Sequence, residues 1–236
     1  MADHLSNPDT LDWANIFDSL DERGFAETGP LLSESEAETL RGLYDDADCF
    51  RSHIIMKRHG FGEGEYKYFA YPLPETIDRL RKDFYRRLAP LANQWAEKMG
   101  LAIRYPDSHE DMLARCHADG QSRPTPLLLK YGPGDYNCLH QDLYGEHVFP
   151  IQLAILLSEP GREFEGGEFV LTEQRPRMQS KVEVVPLRKG HGVLFAVAQR
   201  PKQGTRGTYR VNQRHGVSRV RSGARYTAGI IFHDAI

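Results

Sequence analysis

Hydrophobic positions in the first half of the chain recur mainly at helical spacing. A first helix is marked by apolar residues that share one face and precede Gly24, namely Leu11, Trp13, Ile16, Phe17 and Leu20. Ser33 to Glu36 has the form of a capping box and predicts a second helix start. A longer helical pattern runs from about Pro74 to Met99, and Pro90 should kink or divide it. Ser108 to Cys116 predicts one more short helix, which ends near Gly120.

The pattern changes after Thr125, where short apolar and aromatic runs alternate with Gly/Pro turns. The predicted strands are Pro126–Tyr131, Tyr136–His140, Val148–Leu157, Glu168–Leu171, Val182–Leu187, Gly192–Ala198, Thr208–Val220 and Tyr226–Phe232. Short strands without intervening helices favour a sandwich, barrel or jelly roll over a parallel α/β sheet. We therefore predict a mainly β fold with added α: an N-terminal helical region, 1–120, packed on a β core, 121–236, as one compact unit.

Composition fits a soluble globular protein, with 236 residues, 40% of them hydrophobic. The three cysteines, Cys49, Cys116 and Cys138, form no CxxC pair, which argues against a disulfide framework or structural zinc. The N-terminus shows no secretory signal, and no stretch approaches the ~18 apolar residues of a membrane span. A cytoplasmic protein without a membrane partner is the expectation.

Charge is distributed unevenly along the chain. Residues 1–50 hold 13 acidic residues and two basic ones, whereas residues 175–225 hold 13 Lys or Arg and one acid, Glu183. This asymmetry raises the expectation of a nucleic-acid partner that binds the basic half. The alternative is that the two halves neutralise each other across an internal interface.

A candidate metal site begins with His140-Gln-Asp142. Residues i and i+2 of a strand point to one side, so this imidazole and carboxylate can converge on one ion. His-x-Asp is common by chance, and a polar strand end is the plainer interpretation of it alone. His215, in a later predicted strand, can complete a set of two His and one carboxylate, which suits non-haem Fe(II) and leaves positions open for a cosubstrate and O2.

Arg225 and Thr227 follow His215 and share a strand face. A guanidinium binds a carboxylate through two hydrogen bonds, and a neighbouring hydroxyl adds another donor. The ordered set of His-x-Asp, a distal His, then Arg and Thr is more specific than any of its parts.

With these motifs, residues 125–233 resemble the 2-oxoglutarate/Fe(II)-dependent oxygenase superfamily. The resemblance implies a double-stranded β-helix, a cupin-like jelly roll, buttressed here by the N-terminal helices. It implies an enzyme that uses Fe(2+), 2-oxoglutarate and O2, and that couples decarboxylation of 2-oxoglutarate to succinate with oxidation of a C–H bond. The match assigns the catalytic metal ligands to His140, Asp142 and His215, and the distal carboxylate of 2-oxoglutarate to Arg225 with Thr227.

The stretch from Tyr131 to Asp142, YGPGDYNCLHQD, is similar to a segment of AlkB-like oxygenases, bacterial members of which are thought to act on damaged nucleic acid. By that similarity Tyr131 contacts 2-oxoglutarate. Three positions depart from the AlkB pattern: Leu129, Tyr144 and Ile231 stand where an Asn, an acidic residue and a second Arg are expected. Binding of the C1 carboxylate and recognition of an alkylated base are therefore not carried over.

Other features have weaker functional interpretations. Tyr144, Phe149 and Tyr209 can stack on a flipped base, although aromatic residues in such a fold more often belong to the core. Residues 57–64 form a Gly-rich polar loop that is either a lid over the barrel mouth or a simple connection. Gly166-Gly167 is expected to be a turn without a catalytic role, and Cys138 to pack beside His140. The run from Arg206 to Arg210 is expected near the barrel mouth.

The leading hypothesis is an oxygenase that removes alkyl groups from nucleobases by oxidation. A protein hydroxylase of the prolyl type, or a small-molecule hydroxylase, would use the same iron chemistry. A non-catalytic cupin-like binding module is the third alternative.

Overall fold

The computed structural model describes residues 8–143, 145–205 and 207–236. Its helices are α1 (Trp13–Arg23), α2 (Glu34–Gly42), α3 (Glu75–Lys98) and α4 (His109–Ala118), with 3-10 turns at Pro8–Thr10, Leu43–Asp45, Ala47–Cys49 and Met56–His59. The strands of the first half are β1 (Phe25–Pro30), β2 (Phe50–Ile55), β3 (Gly62–Glu63) and β4 (Glu65–Phe69). The later strands are β5 (Leu127–Tyr131), β6 (Tyr136–His140), β7 (Ile151–Leu156), β8 (Phe164–Gly166), β9 (Phe169–Gln174), β10 (Lys181–Val185), β11 (His191–Ala196), β12 (Gln199–Gly204), β13 (Gly207–Val217), β14 (Val220–Gly223) and β15 (Arg225–Ile230).

Local capping explains where the helices begin and end. Asp12 and Ser108 accept hydrogen bonds from backbone N–H groups in the first turns of α1 and α4, and Ser33 with Glu36 forms the predicted capping box of α2. Gly24 ends α1 in the left-handed conformation, as expected.

Pro90 does not divide helix α3, contrary to the expectation from sequence. The helix continues from Glu75 to Lys98, and its neighbours Ala89 and Leu91 are buried. Pro90 itself is exposed. The carbonyl four residues earlier, which loses its N–H partner, therefore lies on the water side of the helix, where the loss is tolerated.

Two antiparallel sheets face each other. The large sheet has the order β1-β11-β7-β15-β5-β4-β2, and the small sheet the order β10-β9-β13-β6-β3, with β12 beside β13. A two-stranded pair, β14-β8, lies apart from both. Because strands from distant parts of the chain alternate between the sheets, this is the jelly-roll arrangement that the sequence predicted.

The expectation that the first 120 residues are helical is wrong in part. Strands β1, β2 and β4 extend the large sheet, and β3 extends the small one. These strands are short and pair with remote residues, as Phe25 does with Phe195, so local periodicity carries little sign of them. The chain division at residue 120 remains a prediction.

The helices cover one face of the large sheet, and the opposite face looks into the barrel. Trp95 and Phe84 of α3 pack with Leu153, Ile155 and Ile230 in the main core. A second cluster, which includes Phe169 and Phe195, lies between the two sheets. Alternation along β7 and β15 therefore leaves every second side chain pointing into the barrel, where the candidate site lies.

Candidate active site

Three candidate ligands meet inside the barrel. His140 ends β6, Asp142 follows two residues later, and His215 of β13 pairs across the strands with His140. The Nε2 atoms of His140 and His215 lie 3.4 and 3.3 Å from the two carboxylate oxygens of Asp142. One ligand atom from each residue falls within 4.8 Å of the others, a separation that suits one shared cation.

The pKa shifts of the three residues favour binding of a cation. Burial would raise the pKa of Asp142, but hydrogen bonds to His140 and His215 outweigh it and hold the pKa well below its usual value. Burial, only partly offset by Asp142, lowers the pKa of His215. Burial likewise opposes the charged form of His140, yet Asp142 raises its pKa overall. The cluster therefore offers an ionised carboxylate and at least one neutral imidazole near neutral pH.

Neighbouring groups fix the orientation of both rings. The Nδ1 of His140 lies 2.8 Å from the carbonyl oxygen of Cys138. The ring of His215 packs against Phe195 and Phe169, with centroid distances of 4.6 and 6.1 Å. A backbone acceptor on one ring and aromatic walls on the other leave the Nε2 atoms aimed at Asp142, as a ligand set requires.

A cavity of about 350 Å³ opens beside the cluster. Arg225, Thr227, Tyr131 and the three candidate ligands all line it. Arg225 Nη1 donates to Thr227 Oγ1 at 2.6 Å, and its guanidinium carbon lies 5.5 Å from the centre of the Tyr131 ring. The structure thus brings these residues together in one pocket.

The surroundings of Arg225 fit a small dicarboxylate. Its side chain is 2% exposed, and among the described residues no carboxylate lies within salt-bridge distance of it. Burial lowers its pKa to about 10, and its Nε has no hydrogen-bond partner in the described part of the chain. A buried guanidinium without a carboxylate partner is stabilised when an anionic ligand binds it, and a carboxylate of 2-oxoglutarate would be such a ligand.

Gly167 gives Arg225 its space, a role that the sequence interpretation missed. This glycine has a φ of +62°, and a Cβ there would lie 2.8 Å from Arg225 Cδ and 2.9 Å from Val220. Gly166-Gly167 is a turn, as expected, but it also forms a wall behind the guanidinium. The only signal in the sequence was the Gly166-Gly167 pair, since glycine is favoured where φ is positive or where another group approaches the backbone closely.

The weaker candidates have mixed outcomes. Phe149 packs in the core against Tyr85, and Tyr209 is not among the described residues that line the cavity. Gly60 and Phe61, from the Gly-rich loop, do line it, as does Cys138. Tyr144 and Arg206 lie outside the described residues. The lining residues that were not foreseen include Tyr66, Tyr68 and Gln152.

Part of the basic half contacts the N-terminal region, which is the alternative interpretation of its charge. Arg200 donates to the carbonyls of Asp21 and Glu22, and Arg210 donates to that of Met99. Lys189 pairs with Glu38 at 3.1 Å. These cations neutralise helix ends and acidic side chains of the same chain. Arg210 therefore does not lie at the barrel mouth, which is where it was expected.

No described helix is long and apolar enough to cross a membrane.

Comparison with known proteins supports the enzyme class. Residues 64–235 match the model of a family described as oxygenases catalysing oxidative methylation of damaged DNA. An uncharacterised protein of Mycobacterium tuberculosis is 51% identical over 167 residues, which cover 71% of this chain and 72% of that protein.

Solved structures share the fold at low identity. A 2OG-Fe(II) oxygenase-family oxidoreductase from Burkholderia pseudomallei has a TM-score of 0.54 and 16% identity, over 94% of this chain and 92% of that one. A prolyl-4-hydroxylase from Pseudomonas putida has a TM-score of 0.50 and 13% identity, over 95% and 99%. The fold is therefore the double-stranded β-helix. The chain belongs to the family of damaged-DNA oxygenases that its residues 64–235 match, and it is therefore an oxygenase.

Proposed function

We propose that this enzyme oxidises an alkyl group on a base of damaged nucleic acid. The observation that carries the proposal is one cavity in which the His140–Asp142–His215 cluster and Arg225 lie beneath an aromatic, apolar entrance. The family description supplies the substrate class.

In this proposal His140, Asp142 and His215 hold the iron. The metal, when bound, supplies the oxidising chemistry with O2 and 2-oxoglutarate. Arg225 binds the distal carboxylate of 2-oxoglutarate, and Thr227 holds the guanidinium in place through their 2.6 Å hydrogen bond. Tyr131 is fully buried beside Arg225, and its hydroxyl accepts from Asn137 Nδ2 at 3.3 Å, so it forms a fixed wall for the cosubstrate.

The entrance suits a flat, apolar group better than a charged one. Phe61 and Leu139 are 47% and 45% exposed at the cavity, and Tyr66 and Tyr68 line it from β4. The rings of Tyr66 and Tyr68 meet edge to face at 5.4 Å. An unstacked nucleobase gains stacking energy from such aromatic side chains, and this stacking tolerates any of the bases.

Cations stand next to this entrance. Lys57 and Arg58 are exposed on the short turn that precedes Phe61, and His59 stacks on the Phe61 ring at 5.3 Å. Phosphates that flank a base held at the entrance would meet these side chains, and binding through them would weaken with salt. The Gly-rich loop thus serves both as a wall of the cavity and as a contact for the nucleic-acid backbone.

The test is turnover with Fe(2+), 2-oxoglutarate and O2 on methylated single-stranded oligonucleotides, with succinate and formaldehyde measured together. We expect both products from the native enzyme and neither from His215→Ala. His191→Ala, outside the cavity-lining set, is the matched control and should retain both.

Two outcomes would contradict the proposal. If no methylated oligonucleotide stimulates succinate release while a proline-containing peptide or a small molecule does, the substrate class is wrong. If the native protein releases no succinate under any of these conditions, the assignment of the site residues is wrong as well.

A further inference from the structure

One polar side chain in the cavity has no assigned task. Gln152 of β7 is 4% exposed and lines the cavity, and its side-chain amide nitrogen has no hydrogen-bond partner among the described residues. Burying an amide without a partner is unfavourable, because the group loses its water and gains nothing in return. Such a donor inside a ligand cavity indicates that the ligand itself supplies the acceptor.

Other amide side chains that line the cavity are already engaged. Gln141 donates to the carbonyl oxygens of Ala198 and Gln213, and Asn137 donates to the hydroxyl of Tyr131. Within the described part of the chain, the buried cavity nitrogens that lack a partner are the Nε of Arg225, the Nδ1 of His215 and the amide of Gln152. His215 Nδ1 points away from the Asp142 side of its ring, so Arg225 and Gln152 carry the unpartnered N–H groups that a small ligand beside the cluster can reach.

Strand register places these two donors at opposite ends of the site. On β15, Thr227 pairs with Leu156 of β7, while Ile230 pairs with Leu153, the residue next to Gln152. The Arg225 guanidinium lies at the level of Thr227, because it donates to the Thr227 hydroxyl, and Gln152 is four residues from that level, about 13 Å along the strand. The five-carbon chain of 2-oxoglutarate and the reach of an Arg and a Gln side chain can span that distance together.

Gln152 also lies beside a residue that contacts the metal-ligand cluster. It pairs across the strands with Phe195 of β11, and the Phe195 ring contacts the His215 ring at a centroid distance of 4.6 Å. At the same level of β15 the cavity is lined by Ile231, which offers no charge. A carboxylate bound beside the cluster would thus find its neutral side-chain donor on β7.

We propose that the Gln152 side-chain amide binds the C1 carboxylate of 2-oxoglutarate, the end that Arg225 does not hold. This assignment rests on the proposed roles of Arg225 and of the His140–Asp142–His215 cluster, and it is independent of whether the substrate is a nucleic acid. The two ends of the cosubstrate are then recognised by different chemistry: a guanidinium at C5 and a neutral amide at C1.

The test measures binding by calorimetry with Fe(2+) under nitrogen, so that no turnover occurs. Two titrants are used: 2-oxoglutarate, and 2-oxopentanoate, which keeps the C1 carboxylate and the keto group but lacks the C5 carboxylate. Gln152→Leu should weaken both by a similar factor, about 10- to 100-fold for a lost hydrogen bond to a charged group. Arg225→Met should weaken 2-oxoglutarate strongly and leave 2-oxopentanoate almost unchanged.

Gln121 provides a matched control. It is also a buried glutamine, but its amide is satisfied by the chain: its nitrogen donates to the carbonyl of Asp234 at 2.7 Å, and its oxygen accepts from the N–H groups of Glu146 and His147. Gln121→Leu should lower the melting temperature and leave binding of the folded protein unchanged. Gln152→Leu should leave the melting temperature unchanged or raise it, because it removes a donor that has no partner in the free protein. The same substitution should weaken binding of both titrants.

The outcomes separate this inference from the proposed function. If native protein fails to bind 2-oxoglutarate in an Fe(2+)-dependent way, both fall. If native protein binds it and Gln152→Leu binds both titrants as tightly, the role of Gln152 is refuted while the rest stands. A loss seen with 2-oxoglutarate but absent with 2-oxopentanoate would also refute it, because Gln152 would then act at the C5 end.

Discussion

Replacing Arg81 of helix α3 with methionine should strongly destabilise the fold. Arg81 is 0% exposed, and its Nη2 donates to Asp234 Oδ1 at 2.7 Å. It also donates to the carbonyls of Ile231 and His233 at 2.8 and 3.0 Å. The guanidinium thus ties α3 to the segment that follows strand β15.

The magnitude follows from what the substitution leaves behind. Asp234 would keep Tyr71 and His117 as partners, at 2.9 and 2.8 Å, but would lose its buried cation, and two buried carbonyls would lose a donor. Removing one partner of a buried ion pair costs about 3–5 kcal/mol. That is a large fraction of the 5–15 kcal/mol by which domains are typically stable.

Urea unfolding followed by circular dichroism measures the effect. Lys82→Met is the matched control on the same helix, because Lys82 forms an exposed ion pair with Asp78, 2.9 Å long, and such pairs contribute less than about 1 kcal/mol. Arg81→Met combined with Asp234→Asn should recover part of the loss, since the unpaired charge is then removed. If Arg81→Met unfolds at the same urea concentration as Lys82→Met, the reasoning about this ion pair is wrong.

Three further predictions concern the cosubstrate pocket and two buried histidines. Arg225→Met should raise the KM for 2-oxoglutarate by more than about 10-fold and leave the melting temperature unchanged or higher, because the charge it removes is buried without a carboxylate partner; initial rates and a thermal melt test this. Gly167→Ala should also raise that KM, since its Cβ would overlap Arg225 Cδ, and an unchanged KM would show that the guanidinium can move aside. Burial, reinforced by the charge of Arg81, lowers the pKa of both His109 and His233 from 6.5 to about 4. Both histidines bind protons more weakly in the folded protein, so stability is fully present above pH 6.5 and should fall between pH 6.5 and 4, by a contribution on the order of 3 kcal/mol each, in urea titrations at several pH values.

The sequence predicted the β core well because its strands are apolar runs between turn residues. Tyr136–His140 was predicted with the observed bounds, and strand geometry placed His140 and Asp142 on one side. That His215 joins them came from the resemblance to the oxygenase superfamily, because the pairing of β6 with β13 is long-range. These features depend on local pattern, which a single sequence contains.

Features that depend on long-range pairing could not be predicted in this way. Gln152 is one polar residue in the continuous apolar run of β7, and only the register with β11 and β15 shows that it faces the cavity. The polar strand β12, Gln199–Gly204, has no apolar alternation and is held by its pairing with β13. The contacts of Arg200 and Arg210 with the N-terminal helices required the tertiary structure, since charge alone fits either interpretation.

Strand β1 has a consequence for solubility. By pairing with β11, it covers backbone groups of Val193 to Phe195 that would otherwise form a bare sheet edge able to recruit other chains. It also makes a poor template itself, because a bulge between Glu27 and Gly29 breaks its regularity and Pro30 lacks an N–H group. Removal of residues 1–30 should therefore leave a protein that self-associates into β-rich aggregates.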